Sequence, residues 1–86
     1  MNILTEDIAI WRLNLIFQSR GWYVGIYKRG SLKSTKLGRY YIINHFTNEM
    51  IDFSDQLTQW MAREFIISPW EQVAGEEQFT GKGKLK

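Results

Sequence analysis

Trp22-Tyr23-Val24-Gly25-Ile26-Tyr27-Lys28-Arg29 and, further along, Arg39-Tyr40-Tyr41-Ile42-Ile43-Asn44-His45-Phe46 are the two stretches whose reading decides the fold. In the first, apolar and larger polar-tipped side chains alternate with a period of two. Trp22, Val24 and Ile26 therefore fall on one face of a strand, and Tyr23, Gly25 and Tyr27 on the other. The second stretch is rich in aromatic and β-branched residues, which suit a pleated sheet. Both of its faces carry apolar side chains, so its register stays open. Phe46-Thr47-Asn48-Glu49 supplies a tight turn, because Asn48 tolerates the left-handed region. A short third strand over Met50 to Phe53 follows, giving a three-stranded antiparallel sheet.

Working outward, residues 4–20 carry a helical period. Leu4, Ile8, Trp11 and Leu15 recur at spacings of four, three and four, and are expected to face the core. Thr5 caps this helix, and Glu6 and Asp7 lie at its positive end. Gly21 suits the left-handed position after its last turn, which lets Trp22 fold back on Phe17. Downstream, Ser54-Asp55 opens a second helix with Leu57, Trp60, Met61 and Phe65 on one face. Ser68-Pro69-Trp70-Glu71 has the form of a capping box with proline at the first helical position, so a short C-terminal helical turn is expected, closed by Gly75. Trp11 and Trp60 read as core residues and Trp70 as a cover for the core's edge. The whole is a small single-domain α+β protein of order α-β-β-β-α, with its helices packed on one face of the sheet. Residues 1–75 form the domain and 76–86 a flexible basic tail.

Composition bounds the function. With 86 residues, 44% hydrophobic and 15% aromatic, the chain has one modest core and is not disordered throughout. It has no cysteine, which removes disulfides, thiolate metal sites and thiol nucleophiles, and fits a reducing compartment. The longest uncharged apolar runs, Ile8–Trp11 and Tyr40–Ile43, are four residues, and the N-terminus carries acids rather than a basic n-region. A cytoplasmic protein without membrane contact is expected.

Charge is unevenly spread although the net value is only +2. Residues 1–48 hold seven cations and two carboxylates, whereas residues 49–86 hold four and seven. Five cations, Lys28, Arg29, Lys33, Lys36 and Arg39, fall in the arm between the first two strands, beside Gly30, Ser31, Ser34, Thr35 and Gly38. A cationic hairpin with free N–H and hydroxyl donors can track phosphates. Five contacts on duplex DNA would give a log–log salt slope of about −4.5. Tyr27 and Tyr40 lie at the ends of this arm. Lysines also simply blunt strand edges.

The uncovered sheet face offers a second surface. Tyr23 and Tyr27, with Tyr41 or Tyr40 on the second strand, can form an aromatic platform that stacks single-stranded bases, anchors a protein partner or pairs two copies across the sheet. The element order resembles that of double-stranded-RNA-binding domains over about residues 5–67, whose loop between the first two strands also reaches RNA. The lysine cluster that opens their last helix is replaced here by Ser54, Asp55 and Gln56, and the chain is not assigned to that family.

Nothing in the sequence assembles catalytic chemistry. His45 is the only histidine, and any metal site would have to be built almost wholly from carboxylates. Glu49, Asp52 and Asp55 are separate strand-end and helix-start acids. No phosphate-binding loop or dinucleotide fingerprint occurs, and Gly81-Lys82-Gly83-Lys84 has no helix after it. The expectation is a non-catalytic interaction protein with no cofactor, no metal and no small-molecule substrate. Nucleic acid bound through Lys28, Arg29, Lys33, Lys36, Arg39, Tyr27 and Tyr40 is the specific reading. The alternative is a protein adaptor, inhibitor or self-associating regulator working through Tyr23, Tyr27 and Tyr41.

Overall fold

A computed structural model describes residues 2–28 and 30–76 of the chain. Strand β1 (Asn2–Leu4) leads into α1 (Glu6–Phe17), which tightens into a 3₁₀ turn at Gln18–Arg20. Then come β2 (Trp22–Ile26), a short α2 (Leu32–Leu37), β3 (Tyr40–Asn44), β4 (Glu49–Ser54), α3 (Leu57–Arg63) and β5 (Glu71–Val73). The class is α+β. Strands β2-β3-β4 make the expected antiparallel sheet, and β1 and β5 add a parallel pair.

Local chemistry explains most boundaries. Thr5 Oγ1 accepts from the Ile8 N–H at 3.2 Å, capping α1. Gly21 adopts φ +75° after the 3₁₀ turn, and the Phe17 and Trp22 rings then meet with centroids 5.5 Å apart. Asn48 takes φ +61° in the β3–β4 turn. Ile42 pairs with Asp52 but Ile43 with Met50, so Ile51 is a bulge in β4.

Helix α1 presents a different face to the core from the one its spacing suggests. Ala9, Leu13 and Phe17 are fully buried, while Ile8, Trp11 and Leu15 are exposed. The helix is apolar on nearly every side, so periodicity defines a helix without fixing its phase. Small Ala9 and the Leu13–Phe17 pair fit against Val24, Ile42, Leu57 and Trp60 in one cluster. Trp60 is core as expected, whereas Trp11 and Trp70 are exposed.

Five further expectations are corrected. The arm of residues 28–39 is not an extended hairpin: Ser31 Oγ accepts from the Ser34 N–H at 3.1 Å and starts α2. Ser68–Glu71 makes the local capping contact, Ser68 N–H to Glu71 Oε1 at 2.9 Å, yet no helix follows. Glu71 begins β5 instead, because Asn2, Ile3 and Leu4 supply a strand to pair with it. Helix α3 ends at Arg63, and Phe65 sits left-handed at φ +60° with 93% of its surface exposed. The bonds Phe65 N–H to Ala62 O and Ile66 N–H to Met61 O close a Schellman ending with phenylalanine where glycine is usual. Its N-terminus is not capped by Ser54 or Asp55 either. Glu76, read from sequence as tail, is buried there and accepts from Leu57 and Thr58. The remainder of the tail, residues 77–86, lies outside the described residues.

Candidate functional site

Register fixes which side chains share the outer face of the three-stranded sheet. Val24, Tyr40 and Ile42 are buried, so their neighbours in each strand point away from the helices. The pairs Tyr23↔Ile43 and Gly25↔Tyr41 on one side of β3, and Tyr41↔Phe53 and Ile43↔Met50 on the other, make one outward patch, which Tyr27 extends. No acidic residue occupies an outward position in these strands. Tyr23, Met50 and Phe53 are each exposed by about two-fifths.

Gly25 shapes this patch. A Cβ there would lie 2.1 Å from Tyr41 Cζ, so the missing side chain is what lets the Tyr41 ring lie across β2. The ring then meets Tyr27 at 4.7 Å between centroids, tilted by 41°. Burial, and then the neighbouring Tyr23 and Tyr27 hydroxyls, hold the Tyr41 phenol above its ordinary range. At the far end Tyr23, His45 and Phe46 continue the aromatic run, with centroid distances of 6.3 and 4.0 Å. Tyr23 and Tyr27 are separated by about 13 Å of strand, room for two or three splayed bases.

The basic arm returns to this face. Lys33, in the first turn of α2, places Nζ 5.8 Å from the centre of the Tyr27 ring. Lys28 follows Tyr27 directly, and Lys36 lies one helical turn beyond Lys33; all three lysines are exposed. Among the described residues, no carboxylate lies within ion-pair distance of any of them.

Two residues of the sequence-based set do not belong. Arg39 is half-buried, with Nε 3.2 Å from Glu6 Oε2 and Nη1 3.3 Å from the Tyr27 carbonyl, so it straps α1 to the sheet. Tyr40 is in the core and donates its hydroxyl to the same Glu6 oxygen at 2.5 Å. Burial first, and the Glu6 contact second, push its phenol up to about 12. The even-numbered positions of β3 face inward, which excludes Tyr40 from any surface role. Arg29 lies outside the described residues. Sequence reading missed Ile43, because both faces of β3 are apolar, and Met50 and Phe53, because the bulge at Ile51 shifts the parity of β4.

Both sheet edges are blunted. The Val24 N–H donates to Asn14 Oδ1 and the Phe53 N–H to Asp52 Oδ1, each 0.1 Å from the other in length at 2.9 and 2.8 Å. Those outward backbone groups are unavailable to an added strand, so the face rather than the edge is the accessible surface. Among the described residues, no three histidine, aspartate or glutamate side chains converge as a metal site, and no helix is long and apolar enough to cross a membrane. No family model matches the chain, and no curated protein and no solved structure shows significant similarity to it.

Proposed function

We propose that this protein is a non-catalytic module that binds single-stranded nucleic acid across the outer face of its antiparallel sheet. The contact of Lys33 with the Tyr27–Tyr41 pair carries the reading, because it makes the basic arm and the aromatic face one surface. Stacking rings need unpaired bases, so a single strand fits this face where a duplex does not. Tyr27, Tyr41 and Tyr23 stack bases while Lys28, Lys33 and Lys36 neutralise phosphates. Three such contacts on a single strand give a log–log salt slope of about −2, or about a 20-fold loss of affinity between 50 and 200 mM salt.

Fluorescence anisotropy with labelled single-stranded and duplex DNA and RNA tests this reading. Single strands should bind more tightly than duplexes, and Tyr27→Ala should weaken binding by about 1–3 kcal/mol. Lys28→Ala/Lys33→Ala/Lys36→Ala should flatten the salt dependence. Absence of single-strand binding at 50 mM salt would refute it. The exposed apolar end of the face, Met50 and Phe53 beside Ile43, favours a protein partner as the second reading. That reading expects weak salt dependence, with Phe53→Ala more damaging than the lysine changes.

A further inference from the structure

We infer that α1 is the seam of an antiparallel two-fold homodimer. A helix on a protein surface normally turns a polar face to water, and one that is apolar all round is normally buried all round. In α1 the inward residues Ala9, Leu13 and Phe17 are fully buried. On the opposite pole Ile8, Trp11 and Leu15 are 45%, 61% and 49% exposed. At about 100° per residue these three fall within one narrow stripe, at the three-then-four spacing of a helix–helix seam. The outer pole of the protomer thus has the composition of an interface.

The stripe is complementary to itself. Trp11 is flanked by an aliphatic side chain on either side, so an antiparallel copy sets Trp11 on Trp11 and Ile8 on Leu15. Asp7 and Gln18 lie on the same flank at opposite ends, and such a copy brings each Asp7 carboxylate to the partner copy's Gln18 amide. The two helix dipoles then oppose each other, whereas a parallel copy would align them. On the other flank Arg12 is held by Glu71 through bonds of 2.9 and 2.8 Å, so it reaches the axis as a neutral pair. A nucleic acid or an anionic lipid surface finds no unpaired cation on this stripe and would meet the Asp7 carboxylate at its flank. The stripe from Ile8 to Leu15 is only about 10 Å long, so the seam is small and association in the micromolar range, as in weak and transient complexes, is expected. Since α1 covers the inner side of the sheet, pairing through its outer pole leaves both tyrosine faces open. This inference does not depend on what those faces bind.

Sedimentation equilibrium over about 5–500 μM tests it, a range that brackets the expected constant. The chain should pass from monomer to dimer, and Trp11→Glu should stay monomeric throughout with an unchanged circular dichroism spectrum and melting temperature. The absence of cysteine permits a geometric test. Ile8→Cys mixed with Leu15→Cys should form a disulfide-linked heterodimer on mild oxidation. Ile8→Cys alone should not, because its two copies are offset by about 10 Å along the helix. A chain that is monomeric at every concentration, a dimer that survives Trp11→Glu, or self-linking of Ile8→Cys would each overturn the proposal.

Discussion

Glu76 gives the most demanding test of the packing argument, because one side chain closes a helix 18 and 19 residues away in sequence. Its Oε2 accepts from the Leu57 N–H at 2.9 Å, and its Oε1 from the Thr58 N–H at 2.9 Å and the Thr58 hydroxyl at 2.6 Å. Gln56, at the cap position, contributes no side-chain bond of its own. Glu76→Ala leaves two amide donors and a hydroxyl without an acceptor at buried residues. Loss of an N-cap costs about 0.5–2 kcal/mol, and loss of the carboxylate at the positive helix end up to about 1 more. Water entering the vacated space recovers part of the desolvation penalty. The expected destabilisation is about 2–3 kcal/mol, a large share of the roughly 4–13 kcal/mol typical of a chain this size. In urea, with a slope of about 1 kcal/mol/M, the unfolding midpoint should fall by about 2 M at unchanged slope. Glu76→Gln, which keeps one acceptor oxygen, should fall between the variant and the parent. A shift below about 0.5 kcal/mol for Glu76→Ala would show that α3 does not depend on this cap, and would return residue 76 to the tail.

Four other outcomes follow from the contacts described above. Arg12, with the Ser68 N–H, holds the Glu71 carboxyl down to about 2, so this contribution is fully present above about pH 4.5 and is lost as pH falls towards 2. With partial screening at Arg12 it amounts to about 1–2 kcal/mol, read as a drop in urea midpoint that Glu71→Gln removes. Tyr40 has the opposite sign: its phenol is pushed up to about 12, so stability holds below pH 10 and falls as pH rises towards 12, and Tyr40→Phe should abolish that basic limb. Gly25→Ala should leave the fold intact while displacing the Tyr41 ring, so near-ultraviolet dichroism changes and single-strand binding falls as it does in Tyr41→Ala. Phe65→Gly should raise stability by about 0.5–1 kcal/mol, since relief of the left-handed strain outweighs the added chain entropy; a lower melting temperature would mean that the exposed ring makes a contact that matters.

Much of the fold was legible wherever a local rule operates alone. Thr5, Gly21 and Asn48 carry out the capping and turn roles their chemistry suggests, and the alternation from Trp22 to Tyr27 assigns the correct faces. What failed needed information from distant parts of the chain. Strands β1 and β5 are three residues each, too short for any period, and each exists because the other is there. The capping box at Ser68 forms, but the Glu71 that completes it is also bound by Arg12, and the backbone after it continues as a strand. The helix at 32–37 was missed because Leu-Lys-Ser-Thr-Lys-Leu shows no clear apolar stripe, and Ser31 hydroxyl and carbonyl contacts hold it instead. Within the candidate site, Tyr23 and Tyr27 were legible from period two, whereas Tyr41 required the register of a strand apolar on both faces, and Phe53 and Met50 required the bulge.

The uneven charge along the chain has a structural origin that separates architecture from surface chemistry. Three of the cations before residue 48 are spent within the fold: Arg12 pairs with Glu71, Arg20 with Glu64 and Arg39 with Glu6. Two of these pairs join the basic first half to the acidic second half, so the asymmetry serves long-range closure. Arg20 also lies over the Phe17 and Trp22 rings, at 5.5 and 5.2 Å, and so braces the turn between α1 and β2. Arg12 and Arg20 hold their carboxylates through two bonds each, and Arg39 bridges Glu6 and the Tyr27 carbonyl, geometries for which a guanidinium is suited. The lysines of the arm, Lys28, Lys33 and Lys36, are instead exposed and act as flexible point charges, the kind suited to phosphates whose positions vary from one strand to the next. Among the described residues the positive charge of the first half is thus divided in two: Arg12, Arg20 and Arg39 close the fold, and Lys28, Lys33 and Lys36 lie exposed on the arm beside the tyrosine face.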